Sequence, residues 1–92
     1  MATLIETNGQ RSERKPASGK KGFTLEELRA LIGCEYIEVA HFGHDGQFFV
    51  VDEEGKLLDK PINEEATRIY RQAGYDDYIV GNALLCERGE VK

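Results

Sequence analysis

The stretch that decides the fold reads Phe48-Phe49-Val50-Val51-Asp52-Glu53-Glu54-Gly55-Lys56-Leu57-Leu58-Asp59-Lys60-Pro61-Ile62-Asn63-Glu64-Glu65-Ala66-Thr67. It opens with aromatic and β-branched residues, which are typical of a strand. The acidic residues before Gly55 predict a turn, followed by a short extended segment that stops at Pro61. Asn63 suits the N-cap of a helix, because its side-chain oxygen can accept a hydrogen bond from a free helical N–H. A strand, a turn and a capped helix in this order predict mixed α and β structure.

A second strand, residues 36–42, precedes this stretch and is expected to form a β-hairpin with it. The connection ends in Asp45-Gly46, a favourable tight-turn dipeptide. Because side chains alternate along a strand, every second residue shares a face. The face that we assign to the core consists of Ile37, Val39, His41, Phe48 and Val50. The other face consists of Tyr36, Glu38, Ala40, Phe42, Phe49 and Val51. This second face is too apolar for open solvent, so another element covers it or it serves for binding.

Two amphipathic helices are predicted on either side of the hairpin. The first begins at Thr24, which can form a capping box with Glu27, and Gly33 supplies the left-handed residue that ends it. The second spans residues 61–74 and carries acidic residues at its N-terminus, where the helix dipole is positive. Helices this short bury their apolar stripes only against a sheet, so both are expected to pack on strands.

Strands are also predicted at residues 2–7 and 78–86. Asn8-Gly9 marks a turn after the first of them. Gly81-Asn82 indicates a bulge within the second, or the close approach of another backbone.

The remaining segments are polar. Residues 10–22 are basic and interrupted by a proline, so we expect a flexible loop there, and a frayed tail at residues 87–92. The predicted fold class is a single two-layer α+β domain over residues 1–92, with the order β-α-β-β-α-β, a mainly antiparallel sheet and two helices. The strand order stays open, and a ferredoxin-like arrangement shares this element order.

Charge is distributed unevenly along the chain, whose net value is −5. Residues 1–22 carry five basic and two acidic side chains, a net +3, whereas residues 23–92 carry seven basic and fifteen acidic ones, a net −8. An acidic body repels the nucleic-acid backbone, so we expect no nucleic acid among the partners, although the basic arm leaves a weaker route open.

From the sequence we expect neither a membrane span nor an export signal. No apolar run approaches the roughly 20 residues that cross a bilayer, and residues 1–6 lack the charged start of a signal peptide. Cys34 and Cys86 form no Cys-x-x-Cys motif and suit a reducing compartment as buried thiols. We therefore expect a cytoplasmic protein without membrane contact.

Short motifs follow one another along most of the chain. They are Leu25-Glu26-Glu27-Leu28, Tyr36-Ile37-Glu38, Asp52-Glu53-Glu54-Gly55-Lys56-Leu57, Pro61-x-Asn63-x-x-Ala66-Thr67 and Ile79-Val80-Gly81-Asn82. As an ordered set they resemble a domain-of-unknown-function family of small proteins from phages, prophages and mobile elements of gut bacteria. That family tends to place two glycines directly before Tyr-Ile-Glu, whereas Gly33-Cys34-Glu35 stands here, so the turn after the first helix is expected to differ. The resemblance implies an accessory protein of a mobile element, without an assigned reaction.

Three patterns suggest chemistry but are better explained by structure. His41-x-x-His44 could suggest a metal, yet residues three apart in a strand point to opposite faces, and no cysteine completes a zinc set. Asp52-Glu53-Glu54-Gly55 resembles part of a calcium loop but lacks its alternating ligands and closing glutamate. Ser12 and Ser18 lie in the predicted loop, away from the rigid scaffold that a catalytic triad needs. We therefore expect no catalytic residue, no metal and no cofactor.

Candidate binding residues lie in the acidic turn and around the second helix. They are Glu53, Glu54, Asn63, Thr67, Arg68 and Asn82. The two glutamates project from a turn beside the second hairpin face, where an acidic rim next to an apolar patch suits recognition of a protein. The residues at the helix N-terminus lie where free N–H groups could meet an anionic ligand, although capping alone explains Asn63.

The function that we expect is that of a non-enzymatic accessory binding protein, contacting a host protein or a small ligand. One alternative is a small-ligand-binding or enzymatic protein with a cleft near Asn63, Arg68 and Asn82, beside the second helix. The weaker alternative is nucleic-acid binding through the basic arm.

Overall fold

The computed structural model describes residues 2–16, 22–42 and 46–87. Its strands are β1 (Ala2–Ile5), β2 (Arg11–Arg14), β3 (Ile37–His41), β4 (Phe48–Asp52) and β5 (Ala83–Cys86), and its helices are α1 (Leu25–Ile32) and α2 (Glu64–Gln72). The strands form one antiparallel sheet in the order β2-β1-β5-β4-β3. The predicted fold class, an α+β domain with an antiparallel sheet and two helices, is confirmed.

β5 lies at the centre of the sheet, between β1 and β4. Leu84 of β5 pairs with Leu4 on one side and with Val50 on the other, and it is fully buried. Each of the two hairpins, β1–β2 and β3–β4, therefore joins the sheet through β5. This leaves β2 and β3 as the edge strands of the described sheet.

The two faces of β4 are buried, each against a different helix. Phe48 and Val50 of β4 belong to the apolar cluster that α1 covers. Phe49 and Val51 point to the opposite face and belong to the cluster that α2 covers. All residues of β4 are buried as a result. The domain therefore has three layers, helix, sheet and helix, where two were expected, and a ferredoxin-like arrangement with both helices on one face is excluded.

The core face assigned to the hairpin is only partly buried. Phe48 and Val50 lie in the core and Ile37 is half-buried, but Val39 is 41% exposed and His41 is exposed as well. The assignment was wrong for these two residues, because β3 is an edge strand and α1 packs mainly on β4 and β5. On the opposite face α2 covers Ala40, Phe42, Phe49 and Val51, and such cover was one of the two outcomes expected. Tyr36 and Glu38 on the same face stay exposed.

The prediction of a flexible loop over residues 10–22 was wrong for Arg11–Arg14, which form β2. Gly9 adopts a φ of 89° at the turn, and β2 pairs antiparallel with β1. β2 was missed because its side chains are polar and carry no apolar alternation, so only backbone pairing identifies it. The parts of the predicted loop and tail at residues 17–21 and 88–92 lie outside the described residues.

The start and end of α1 follow the sequence signals. Thr24 Oγ1 accepts a hydrogen bond from the Glu27 N–H at 3.2 Å, and the Thr24 N–H donates to Glu27 Oε1 at 2.9 Å. Gly33 ends the helix with a φ of 78°. The predicted capping box and left-handed terminus are confirmed. Neither α1 nor α2 is long and apolar enough to cross a membrane.

Turns connect β4 to α2 in place of the short extended segment expected before Pro61. The Leu58 N–H donates to Glu54 O at 2.9 Å, and the Lys60 N–H donates to Gly55 O at 3.0 Å. The turn packs tightly against the segment before β5, since a Cβ atom added to Gly55 would lie 2.7 Å from Val80 Cγ2.

The last strand is shorter than the predicted residues 78–86. Gly81 has a φ of 72°, and its N–H donates to Pro61 O at 2.8 Å. Val80, just before it, forms an isolated bridge with Ile62. The expected close approach of another backbone at Gly81 is therefore confirmed, and it is the segment leading into α2 that approaches.

Candidate binding cleft

Asn63 is fully buried and connects three parts of the fold. Its Oδ1 accepts a hydrogen bond from the Ala66 N–H at 3.1 Å, which caps α2. Its Nδ2 donates to the carbonyl oxygens of Ile5 and Gly81, both at 2.9 Å. Both amide N–H groups are thus used within the protein. We therefore place Asn63 in the framework of the domain and not on a binding surface.

Thr67 and Asn82 also fasten the backbone. Thr67 Oγ1 accepts from the Ile79 N–H at 2.9 Å and donates to Ile79 O at 3.3 Å. Asn82 Oδ1 accepts from the Thr7 N–H at 3.3 Å. The concave surfaces that Arg68 lines include neither Asn63 nor Asn82, so the structure does not bring the residues of the expected second-helix cleft together.

Arg68 belongs to an ion-pair network on the surface of α2. Its Nε donates to Glu65 Oε1 at 2.7 Å, and Arg11 of β2 binds the other oxygen of Glu65. The hydrogen bonds from Arg68 and then Arg11 lower the pKa of Glu65 to about 2. The network ties the edge strand β2 to α2, and it engages one of the cations of the basic arm.

Glu65 is expected to stay charged until the pH falls to about 2. Because its pKa is depressed in the folded state, the network stabilises the fold above the ordinary carboxyl pKa of 4.5, and this contribution is lost as the pH falls through about 2. Arg11→Ala should raise the pKa of Glu65, whereas Arg14→Ala on the same strand should leave it unchanged. Titration of the carboxyl carbon by NMR measures both, and an unshifted pKa in Arg11→Ala would disprove the bridge.

Glu53 and Glu54 lie on different sides of the turn after β4. Glu53 is exposed and lines a cleft beside β3. Glu54 lines a separate depression with Cys34 and Lys60, and its N–H donates to Asp52 Oδ1 at 2.9 Å. The structure therefore places Glu53 and Glu54, which were predicted to contact one partner, at two different concavities.

The cleft beside β3 has a volume of about 520 Å³ and is called the edge cleft below. It lies between β3 and the segment at residues 77–80, with α2 and the turn after β4 closing the other sides. Its lining includes Glu38, Ala40, Val51, Glu53, Lys56, Tyr70, Asp77 and Tyr78. It is therefore bordered by an open sheet edge and contains aromatic, apolar and charged side chains together.

A single ion pair spans the mouth of the edge cleft. Lys56 Nζ donates to Asp77 Oδ1 at 2.7 Å and lies 4.3 Å from the centre of the Tyr78 ring. The hydrogen bond to Asp77 raises the pKa of Lys56, and the same bond lowers the pKa of Asp77. Among the described residues, Glu38 and Glu53 have no such partner. The cleft therefore contains two carboxylates that have no ion-pair partner among the described residues.

Stacked aromatic rings support the floor of the edge cleft. Tyr70 of α2 stacks on Tyr75, with ring centres 4.7 Å apart, and its edge meets Phe42 at 6.1 Å. Burial is the main cause that raises the pKa of Tyr70. This side of the cleft is held by packing between α2 and the sheet.

A family profile described as a domain of unknown function, DUF3846, matches residues 2–91. The chain belongs to the DUF3846 family. Searches of curated proteins and of solved structures found no match. Membership of a domain-of-unknown-function family agrees with the resemblance seen in the sequence, and it assigns no reaction to the edge cleft.

The outer surface of α2 in this DUF3846 domain forms a second concavity of about 630 Å³. Ile62, Thr67, Arg68, Arg71 and Tyr78 contribute to its lining. It is the concave surface beside the second helix, and it is more open and more apolar than the edge cleft. Arg68 and Arg71 bring two cations to it, although Glu64 lines it as well. Arg68 Nε donates to Glu65 and Arg71 Nε donates to Asp77 O at 3.3 Å.

The patterns considered for metal binding have other roles. His41 is exposed and packs against Phe48, with ring centres 5.5 Å apart, while His44 lies outside the described residues. Asp52 is buried, and its Oδ2 lies 2.5 Å from Lys60 Nζ in an ion pair that holds the turn. Within residues 2–16, 22–42 and 46–87, no three acidic, histidine or cysteine side chains could hold a metal together.

Several residues of the edge cleft were missed from the sequence. Lys56, Tyr70, Asp77 and Tyr78 come from three separate segments, and no local spacing links them. Glu38 did carry a signal, because it is a charged residue on an otherwise apolar strand face. Glu38 is exposed, and a charged residue on an edge strand limits which chains can pair with that edge.

Proposed function

We propose that this DUF3846 domain is a non-enzymatic binding module of a phage or mobile element, acting in the cytoplasm by contacting a host protein. The edge cleft is the surface that supports this role best. It combines aromatic rings with carboxylates that lack an ion-pair partner beside an open strand, the mixture found where proteins recognise one another. Asp77 and Lys56, which both line it, are engaged with each other in an ion pair, which favours recognition over proton transfer.

Glu53 and Glu54 provide a matched pair of variants for testing this role. Charge reversal in Glu53→Lys should reduce retention of the partner on the order of fivefold, because a rim carboxylate at the cleft is replaced by a cation. Glu54→Lys makes the same chemical change one residue away, outside the cleft. It should leave retention unchanged. Quantitative pull-down from bacterial lysate with each variant measures the effect.

The proposed surface would be wrong if both variants retained the partner equally, or if Glu54→Lys alone released it. Thermal unfolding of each variant serves as the control for folding. Both side chains are at least partly exposed, so neither change should lower the midpoint appreciably.

A small ligand on the outer surface of α2 is the second candidate function. The observation that favours it is the concavity whose lining combines Ile62 with two cations, Arg68 and Arg71, against one carboxylate, Glu64. Native mass spectrometry of the purified protein would reveal a retained anionic molecule, and Arg71→Ala should release it. Nucleic-acid binding is the least supported function, since the body beyond residue 22 carries a net −8 and Arg11 of the basic arm is engaged with Glu65.

A further inference from the structure

β3 presents an open row of backbone groups along its outer edge. The Tyr36 carbonyl accepts a hydrogen bond from the Glu53 N–H at 2.9 Å, and the Phe42 N–H donates to Gln47 O at 3.2 Å. In an antiparallel pair, residues that exchange bonds with the neighbouring strand alternate with residues that point away from it. By this register Glu38 and Ala40 bond to β4, whereas the N–H and C=O groups of Ile37, Val39 and His41 point outward. Among the described residues, β3 pairs with β4 alone.

The two edges of the sheet are protected differently. The outer strand β2 carries Arg11, Ser12, Glu13 and Arg14, all polar, and Arg11 is further held by α2. Charged side chains of this kind discourage pairing with another chain. β3 instead exposes Val39 at its centre, and its single acidic residue, Glu38, points into the edge cleft. β3 is therefore the edge suited to receive a strand.

A strand added to β3 would direct alternate side chains into the edge cleft. Residues paired with Glu38 and Ala40 lie on the same face as these two, which is the α2 face that the cleft occupies. Because Glu38 uses its backbone for β4, the pair it makes on the outer side is the closely spaced kind, in which side chains approach most. Glu38 and Glu53 together favour a cationic side chain at that position.

A second copy of this chain fits the edge poorly. Two β3 strands paired about Val39 would place both Glu38 side chains diagonally on one face, each beside its own Glu53 and Asp77. The two copies of Glu38 and Glu53, four carboxylates without an ion-pair partner, would then meet around one small surface. Glu38 thus opposes self-association while attracting a basic chain.

We propose that the edge cleft binds an extended segment of a partner protein, which adds to β3 as a sixth strand and places a lysine or arginine beside Glu38. This inference rests on the proposed function and names the chemistry of its partner. The backbone of β3 supplies the main hydrogen bonds, as in other cases of strand addition, and the cleft selects the alternate side chains.

Val39→Pro and Val39→Thr form a matched pair that tests strand addition. Proline removes the outward N–H of Val39 and leaves the bonds from Glu38 and Ala40 to β4 intact, so an edge strand can accept it. Threonine keeps the N–H. The probe is a short peptide in which lysine and valine alternate, followed by NMR titration. We expect amide shifts at Ile37, Val39 and His41 in the wild type and in Val39→Thr, and binding at least about tenfold weaker in Val39→Pro.

Charge selection is tested separately with Glu38→Lys. This variant should bind the lysine peptide on the order of tenfold more weakly than the wild type does. It should bind a peptide in which glutamate replaces lysine more tightly than the wild type does. Equal binding of the lysine peptide to Val39→Pro and Val39→Thr, or no binding to the wild type, would overturn strand addition. The proposed function is tested independently, by the pull-down that compares Glu53→Lys with Glu54→Lys. A dimer in sedimentation velocity that Val39→Pro dissociates would assign the edge to a second copy and overturn the proposal as well.

Discussion

Asn63→Ala is expected to lower the free energy of unfolding by about 3 kcal/mol, from about 1 for the lost helix cap and about 1 for each of two buried carbonyls left without a donor. The two carbonyls are those of Ile5 and Gly81, and each accepts one hydrogen bond from the side-chain amide of Asn63. Domains of this size are marginally stable, with a total of about 5–15 kcal/mol. Thermal or urea unfolding followed by circular dichroism measures the loss.

Asn63→Asp separates capping from bridging. Aspartate caps helices about as well as asparagine does, so a residue that served only as a cap would tolerate the change. In this variant the carboxylate has no proton to donate to the two carbonyl oxygens that it would face. We therefore expect the free energy of unfolding to fall at least as much as in Asn63→Ala. Thr24→Ala, which removes the cap of α1 alone, should cost only about 1 kcal/mol. A nearly neutral Asn63→Asp would show that the two bridging bonds contribute little.

Gly55→Ala is expected to destabilise the domain by about 2 kcal/mol through overpacking. The new methyl group would lie 2.7 Å from Val80 Cγ2, well inside the optimal carbon separation of about 3.5–4.0 Å. Val80 is buried and β-branched, so its methyl group cannot easily rotate away. The φ of Gly55 is not positive, so reduced freedom of the unfolded chain would favour alanine slightly. We expect the steric term to dominate.

Val80→Ala supplies the control for this steric explanation. Removing the two methyl groups opens the space that an alanine at position 55 needs. In the Val80→Ala background, Gly55→Ala should therefore cost at least about 1 kcal/mol less than in the wild type. Unfolding in urea of the two single variants and the double variant gives this coupling. Strict additivity would show that the cost arises from the backbone of the turn and not from Val80.

The helix-cap signals in the sequence were read correctly, whereas contacts between distant segments were not predicted. The caps at Thr24 and Asn63 and the left-handed Gly33 depend on residues within one helical turn, and all three are confirmed. The additional bonds of Asn63 to Ile5 and Gly81 join segments far apart in sequence, and nothing in the local pattern specifies them. The local pattern therefore predicted a helix cap at a site open to an anionic ligand, whereas Asn63 is a buried connector.

The same distinction explains the errors in the sheet. β2 is held by backbone pairing with β1, and its polar composition is that of a loop. The apolar run of β4 did indicate burial on both faces, but alternation alone could not show that the two helices lie on opposite sides. Exposure of Val39 follows from its place on an edge strand, and strand order is not written in the local sequence.

The central position of β5 has a consequence for how the chain folds during synthesis. The ribosome releases β1–β2 and β3–β4 well before β5, and an isolated two-stranded hairpin is marginal in water. Until β5 arrives, the inner edges of β1 and β4 stay unpaired, because β5 is the neighbour of both. β5 pairs with β1, and Asn82 bonds to Thr7, which lies 75 positions away. Both contacts form only when these two distant segments meet. Such non-local pairing is slow, so insertion of the last described strand is expected to limit the rate of folding, and the nascent chain needs protection from aggregation for that interval.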